Sequence, residues 1–384
     1  MKIAVNTRYL LRDKMEGFGV YSHEILRRMV AAHPDDDFQF YFDRAFDSKF
    51  VYGPNVHPRV LWPQARHPIL YHIWYQMRLR RNLHRERPDV FFSPDSYVPL
   101  GMSVSAVITV HDVAPRRFPD HITRSQRRYY LRNMPRFLEQ AAHLITVSDF
   151  SKREIEHFYE VPGEKITVVH NGVGAQFVPV PDKMQQHMRE RYAGGKPYFL
   201  YVGAIHPRKN VARLINAFDA LKSNVQSDIQ LVLAGATSWK AQEVSDAIQK
   251  AKHSNEVHQV GYVEAGELPG LIGSALAMCY VSLYEGFGMP VLEAMACGVP
   301  VIVSCETSSG AALSEVAGDA ALQVDPNATD EIAEAMQRII EDESLRSNLA
   351  QRGLDRAQSF SWDRAAEETY AILSRVATRN YGKS

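Results

Sequence analysis

The chain has no run of eighteen apolar residues, so nothing in it reads as a transmembrane helix. The opening MKIAVNT is a short strand pattern, not a basic segment followed by a long apolar one, which speaks against a secretory leader. Cysteine is scarce. The three present, Cys279, Cys297 and Cys305, lie in or beside apolar stretches without metal-ligand spacing, and this argues against zinc and disulfides and for reduced core residues. Low-complexity segments and internal repeats are absent, and formal net charge is zero. These absences leave a globular protein of 384 residues, expected to be cytoplasmic and long enough for two domains, each with its own core.

The neutral total conceals an asymmetry. Residues 1–180 carry 25 Lys+Arg against 19 Asp+Glu, and the remainder carries the opposite excess. Between 51 and 140, 14 arginines face 6 acidic residues, concentrated in RLRRNLHRER (78–87) and RRFPDHITRSQRRYYLRNMPRF (116–137). Arginines interleaved with Phe118, Tyr129, Tyr130 and Phe137 suit an anionic lipid surface or a phosphorylated acceptor, and equally a solvated helix face with its aromatics turned inward.

Strand-like apolar runs alternate with amphipathic segments along the whole chain. KIAV (2–5), FQFYF (38–42), DVFFS (89–93), AVITV (106–110), LITVS (144–148) and ITVVH (166–170) form one series. PYFLYVGA (197–204), IQLVLAG (229–235), VHQVGYV (257–263), ALAMCYVSL (275–283), VPVIVS (299–304) and AALQV (320–324) form a second. Alternation of this kind predicts parallel sheets with helical crossovers. The expected architecture is α/β, two doubly wound Rossmann-like domains facing each other across a cleft lined by the carboxyl ends of both sets of strands, with a hinge in HNGVGAQFVPVP (170–181). The predicted domains are 1–175, joined by a C-terminal helix over 362–384, and 176–361.

The stretch YEGFGMPVLEAMACGVPV (284–301) places Glu285 and Glu293 around two glycines and a proline between two buried strands. Pro290 suits the first turn of a helix and Gly298 its end, which predicts a helix of about eight residues with Glu285 in the preceding loop and Glu293 in the first turn. Gly286 and Gly288 leave room for a ligand to approach backbone amides, and the helix N-terminus attracts phosphate. Two carboxylates beside a phosphate must point at something neutral, and hydroxyls of a ribose or a sugar fit. Favouring the helix dipole is the blander role for the same glutamates. HPRKN (206–210) follows the strand PYFLYVGA, placing Arg208 and Lys209 at a strand's carboxyl end, where a fork and a point charge suit a diphosphate leaving group. In the first half, Gly17 and Gly19 lack the third glycine of a dinucleotide fingerprint. His111 follows a buried strand, able to hydrogen-bond a sugar hydroxyl or simply to cap.

Together these segments resemble the retaining glycosyltransferases of family four, which have the GT-B fold. EGFGMPVLEAMACGVPVI resembles their E-x-x-x-x-x-x-x-E signature and YVGAIHPRKN their phosphate-binding segment. GFGVYSHEI, DVFFSPDSYVPL, VITVHDVAP, LITVSDFSKREI, ITVVHNGV, VGYVEAGELPGLIGSALA and FSWDRAAEETY fall in the family's order, so the resemblance covers nearly the whole chain. It implies that Arg208 and Lys209 hold the donor diphosphate, Glu293 the ribose, and Glu285 the transferred sugar. By the same resemblance Gly286, Phe287, Gly288 and Met289 contribute amides around sugar and phosphates, Gly19 belongs to an N-terminal glycine loop, His111 lies near the reacting sugar, and Tyr262 and Val263 line the base pocket.

The implied reaction moves a sugar, with GDP-mannose as the guess, from a nucleoside diphosphate to a hydroxyl of a glycan or lipid-linked acceptor with retention, in surface polysaccharide assembly of the mannosyltransferase type. No metal and no other cofactor is expected. The partners are the donor, the acceptor and, peripherally, an anionic membrane at the inner face of the cytoplasmic membrane; no nucleic acid is expected. Two alternatives remain: a nucleotide-sugar epimerase of the same architecture, and a non-catalytic membrane or assembly module. Asp35-Asp36-Asp37 formally supplies the Asp-x-Asp motif of a metal-dependent transferase, but HPDDDFQF lies between an amphipathic helix and a strand, where an acidic turn is ordinary.

Overall fold

The computed structural model describes residues 1–12, 15, 17–236, 242–305 and 312–381, with side chains to 378. Glu16, where the segment EGFGVYSHEI begins, and the last three residues of the expected 362–384 helix lie outside that set.

Two open sheets organise the chain. The first contains β1 (Lys2–Asn6), β2 (Asp37–Phe42), β3 (Val56–Val60), β4 (Val90–Ser93), β5 (Ala106–Val110), β6 (His143–Thr146) and β7 (Ile166–Val168). The second contains β8 (Tyr198–Val202), β9 (Gln230–Ala234), β10 (Val257–Gly261), β11 (Ala277–Tyr280), β12 (Val301–Ser304) and β13 (Ala321–Val324). Every pairing is parallel. Central strands such as β1, β4, β5, β8 and β9 are buried almost throughout, as expected when helices cover both faces of a parallel sheet.

The strand orders are β3-β2-β1-β4-β5-β6-β7 and β10-β9-β8-β11-β12-β13. In each, the winding reverses once, between β1 and β4 and between β8 and β11. At such a reversal the loops leaving the two adjacent strands run in opposite directions, opening a crevice at the carboxyl edge where ligands of open α/β sheets bind. β3 was not among the expected runs. Its sequence VHPRV carries a proline and two polar residues, which an edge strand tolerates because one side of its backbone needs no ladder partner.

The chain divides into two compact units, Met1–Gly172 with the C-terminal segment from Ser361, and Val173–Phe360. In the first, the C-terminal helix Trp362–Tyr381 packs on the helix Gly17–Ala32 and on β4 to β6. Asp36 pins it: one carboxylate oxygen accepts the Met1 amine at 2.6 Å and the other the Tyr370 hydroxyl at 2.7 Å. The central residue of the acidic triplet at 35–37 is thus used structurally.

Candidate active site

After β8 the chain turns through a short 3₁₀ segment, Pro207–Lys209, whose entry is fixed by His206 accepting from the Arg208 amide. The turn ends on Asn210, held in the left-handed region at φ 60°, which asparagine tolerates better than most residues. Asn210 is buried, and its side-chain amide donates to the carbonyls of Val281 at 2.9 Å and Pro326 at 2.7 Å. Since Val281 directly follows β11, this bond ties the β8 turn to the neighbouring strand across the winding reversal.

That tie brings Arg208, Lys209 and Glu285 together. Lys209 Nζ lies 2.5 Å from Glu285 Oε1 and 2.9 Å from the Tyr280 hydroxyl. Arg208 Nη1 donates to the Tyr284 carbonyl at 2.6 Å and approaches Glu285 Oε2 at 3.4 Å. Tyr280 stacks on Tyr201 with centroids 5.7 Å apart. Glu285 is 6% exposed. Burial alone would raise its pKa, but Lys209 and Arg208 outweigh it and hold the carboxyl below its usual value. The cluster carries two cations and one anion, a net positive charge at a crevice suited to a ligand. Asn210 and Tyr280 were not anticipated. The signal for Asn210 was its place directly after Arg208-Lys209, and Tyr280 was hidden in a strand that reads as uniformly apolar.

The helix Met289–Ala296 has Gly288 as N-cap, with no side-chain cap on its first turn. Gly288 adopts φ 101°, and a Cβ there would lie 2.3 Å from Leu313 Cδ2. The glycine thus admits Leu313 on the side where a Cβ would stand. Gly286 and Phe287 are also buried, and Met289 is partly exposed. Glu293 is the fifth residue of the helix, in its second turn, one turn later than expected. Its carboxylate has no hydrogen bond or ion pair among the described residues, and burial pushes its pKa from 4.5 up to about 7. Tyr262 follows β10 and is exposed, with Val263 partly exposed beside it.

The remaining two candidates belong to the first unit. Gly19 lies inside the helix Gly17–Ala32 rather than in a glycine loop. A Cβ there would lie 2.7 Å from the Tyr9 carbonyl oxygen, so this glycine lets the chain after β1 pass close to the helix. His111 leaves β5 with Nε2 2.9 Å from the Pro94 carbonyl, an acceptor only, so Nε2 carries the proton and Nδ1 presents a lone pair. The edges of Phe18 and Tyr21 enclose the ring at 4.8 and 4.6 Å. Burial lowers the pKa, favouring the neutral imidazole against the opposing Pro94 hydrogen bond.

Two doubly wound units, one presenting a buried cation–carboxylate cluster at its winding reversal, define the class of GT-B transferases. Residues 182–356 match the family described as Glycosyl transferases group 1 and residues 16–177 match Glycosyltransferase Family 4. The O-antigen chain mannosyltransferase B of Escherichia coli is 30% identical over 380 residues, covering 96% of this chain and 98% of that protein. In fold, sucrose-phosphate synthase of Thermosynechococcus elongatus aligns over 98% of this chain and 99% of its own at a TM-score of 0.79 and 18% identity. Anabaena HepE in complex with UDP-glucose aligns over 98% and 100% at 0.75 and 17%. The chain belongs to the family 4 glycosyltransferases, and it is a sugar-transferring enzyme.

The raised Glu293 pKa has a consequence for stability. Because the folded state holds this proton more tightly than the unfolded chain, the contribution is fully present below about pH 4.5 and is lost as pH rises through about 7. Urea denaturation should show wild type losing stability relative to Glu293→Gln between pH 5 and pH 8. The gap should be about 1–3 kcal/mol, less than full linkage because the side chain keeps some solvent contact. Parallel pH profiles for the two proteins would refute this.

Proposed function

We propose that the enzyme moves a mannosyl group from GDP-mannose to a hydroxyl of a glycan or lipid-linked acceptor, with retention and without a metal, in surface polysaccharide synthesis. The observation that carries this reading is the Arg208–Lys209–Glu285 cluster at the β8/β11 reversal. Breaking the glycosidic bond sends its electron pair to the diphosphate, and the two cations stand where that charge would be stabilised. The leaving phosphate then takes the proton of the acceptor hydroxyl on the same face as the new bond forms. Glu285 supplies negative potential where the sugar becomes cationic, and Glu293 offers a carboxylate to the ribose hydroxyls. Whole-length similarity to a protein named as a mannosyltransferase supports the sugar, and the neighbour holding UDP-glucose supports a nucleotide-sugar donor.

The test is incubation with GDP-mannose and an α-mannosyl tetrasaccharide in EDTA. An extended product with an α-configured new linkage by NMR is expected. A β-linkage, complete dependence on added manganese, or conversion of the donor without acceptor would overturn the corresponding part of the reading.

The location proposed is the inner face of the cytoplasmic membrane. No helix among the described residues is long and apolar enough to cross a bilayer. The same region that carries the basic segments exposes Trp62, Ile69 and Met77. Each arginine near an anionic surface contributes on the order of 1 kcal/mol, screened by salt. Sedimentation with phosphatidylglycerol vesicles should pellet the protein at low salt and release it as salt rises; no pelleting at low salt would exclude membrane docking.

The two glutamates should fail differently. Glu285→Gln should lower kcat by roughly a hundredfold, since its charge matters most in the transition state, whereas Glu293→Gln should chiefly raise the donor KM. Steady-state kinetics with circular dichroism on both variants decide it. Equal and purely KM effects would reduce Glu285 to a binding residue.

A further inference from the structure

Lys209 is held from two sides by groups of different kinds. Its Nζ lies 2.5 Å from Glu285 Oε1, a charged group in the loop before the helix Met289–Ala296, and 2.9 Å from the hydroxyl of Tyr280, the last residue of β11. Tyr280 is 2% exposed. Burial, helped by the Glu285 charge, pushes its pKa well above the ordinary phenol value, so it keeps its proton and meets the ammonium through an oxygen lone pair. Lys209 is the one hydrogen-bond partner of this hydroxyl among the described residues. The oxygen therefore serves the lysine and ties down nothing else described.

The phenol is the fixed member of the pair. Its ring stacks on Tyr201 at an interplanar angle of 13°, and the Tyr201 hydroxyl donates to the Ala204 carbonyl at 3.2 Å. The lysine is a point charge on a flexible four-carbon stem, carried by a turn of three residues, and its place is set by what it bonds. Its two tethers respond differently to an arriving anion. A diphosphate and the Glu285 carboxylate carry like charge and compete for one ammonium, whereas the neutral phenol keeps its bond as the carboxylate gives way. Lys209 thereby changes one anion for another without leaving the crevice, and the Glu285 charge it releases turns to the sugar.

We propose that Tyr280 is a positioning residue for Lys209, the neutral anchor that holds the ammonium at the β8/β11 reversal while it exchanges the Glu285 carboxylate for the donor diphosphate. This rests on the reading of the cluster as the diphosphate site of a transferase, and the experiment separates the two. Crystals of the wild-type enzyme soaked with GDP, and in parallel with inorganic pyrophosphate, should show Lys209 Nζ on a phosphate oxygen, withdrawn from Glu285 and still bonded to the Tyr280 hydroxyl. In steady-state assays with GDP-mannose, Tyr280→Phe, which keeps the stacked ring, should lower kcat about tenfold with donor and acceptor KM within about threefold of wild type, because the leaving-group charge that Lys209 meets grows in the transition state. Circular dichroism checks the fold of the variant, and should it not fold, the wild-type crystals decide alone. If wild type moves no sugar but Lys209 makes the exchange with Tyr280 retained, the anchor stands and the transfer reading falls. If sugar is transferred while folded Tyr280→Phe keeps the wild-type kcat or changes KM alone, the positioning role is overturned. Bound phosphate with Lys209 parted from Tyr280, or still on Glu285, overturns it equally, and a cluster that takes up neither GDP nor pyrophosphate removes the diphosphate reading together with the anchor.

Discussion

Each sheet of this protein reverses its winding once, and an ion pair bridges each reversal: Arg8 with Asp95 between β1 and β4, Lys209 with Glu285 between β8 and β11. The constraint is topological before it is chemical. Parallel strands that neighbour each other without being consecutive send their exits apart, so residues following them face a common gap that no backbone ladder fills. Charges placed there are desolvated, and they persist only because each finds its opposite with further hydrogen bonds around it. Removing one partner leaves a buried charge uncompensated, with a cost on the order of 3–5 kcal/mol.

The two pairs are finished differently, and this difference separates their chemistry. At the second reversal two cations share one carboxylate, so a net positive charge remains for an anionic ligand. At the first, one cation meets one carboxylate, so the pair itself is neutral. On the proposed function, holding the cations with a carboxylate also means that an arriving diphosphate competes with Glu285 for Arg208 and Lys209. The same pair therefore preorganises the site and sets a threshold for entry.

Glu285 and Glu293 show how little two identical side chains eight positions apart need share. Glu285 is clamped by cations, which hold its pKa below the ordinary value, whereas Glu293, without a partner among the described residues, moves up to about 7. Local spacing placed both near a helix N-terminus. It could not place the cations, which come from the turn after β8, Lys209 lying 76 residues earlier.

What the sequence determined by itself was everything carried by local periodicity and residue type. Twelve of the thirteen strands stood out as apolar runs, most clearly the central ones, because strands buried on both faces need no alternation; the exception, β3, is an edge strand whose Pro58, His57 and Arg59 erase that signal. Arg208, Lys209, Glu285 and His111 were legible as charged or titratable groups at the ends of such runs. Only the tertiary structure decided who meets whom. Lys209 reaches Glu285 because β8 lies beside β11, and Arg8 reaches Asp95 because β1 lies beside β4. Arg8 in NTRYL drew no notice, since an arginine after a strand looks solvated until Tyr71, Tyr75 and Tyr97 from elsewhere in the chain join its neighbour Tyr9 around it. The missing side chains of Gly19 and Gly288 make room for Tyr9 and Leu313, neighbours whose proximity is a property of the packed chain and not of any local window.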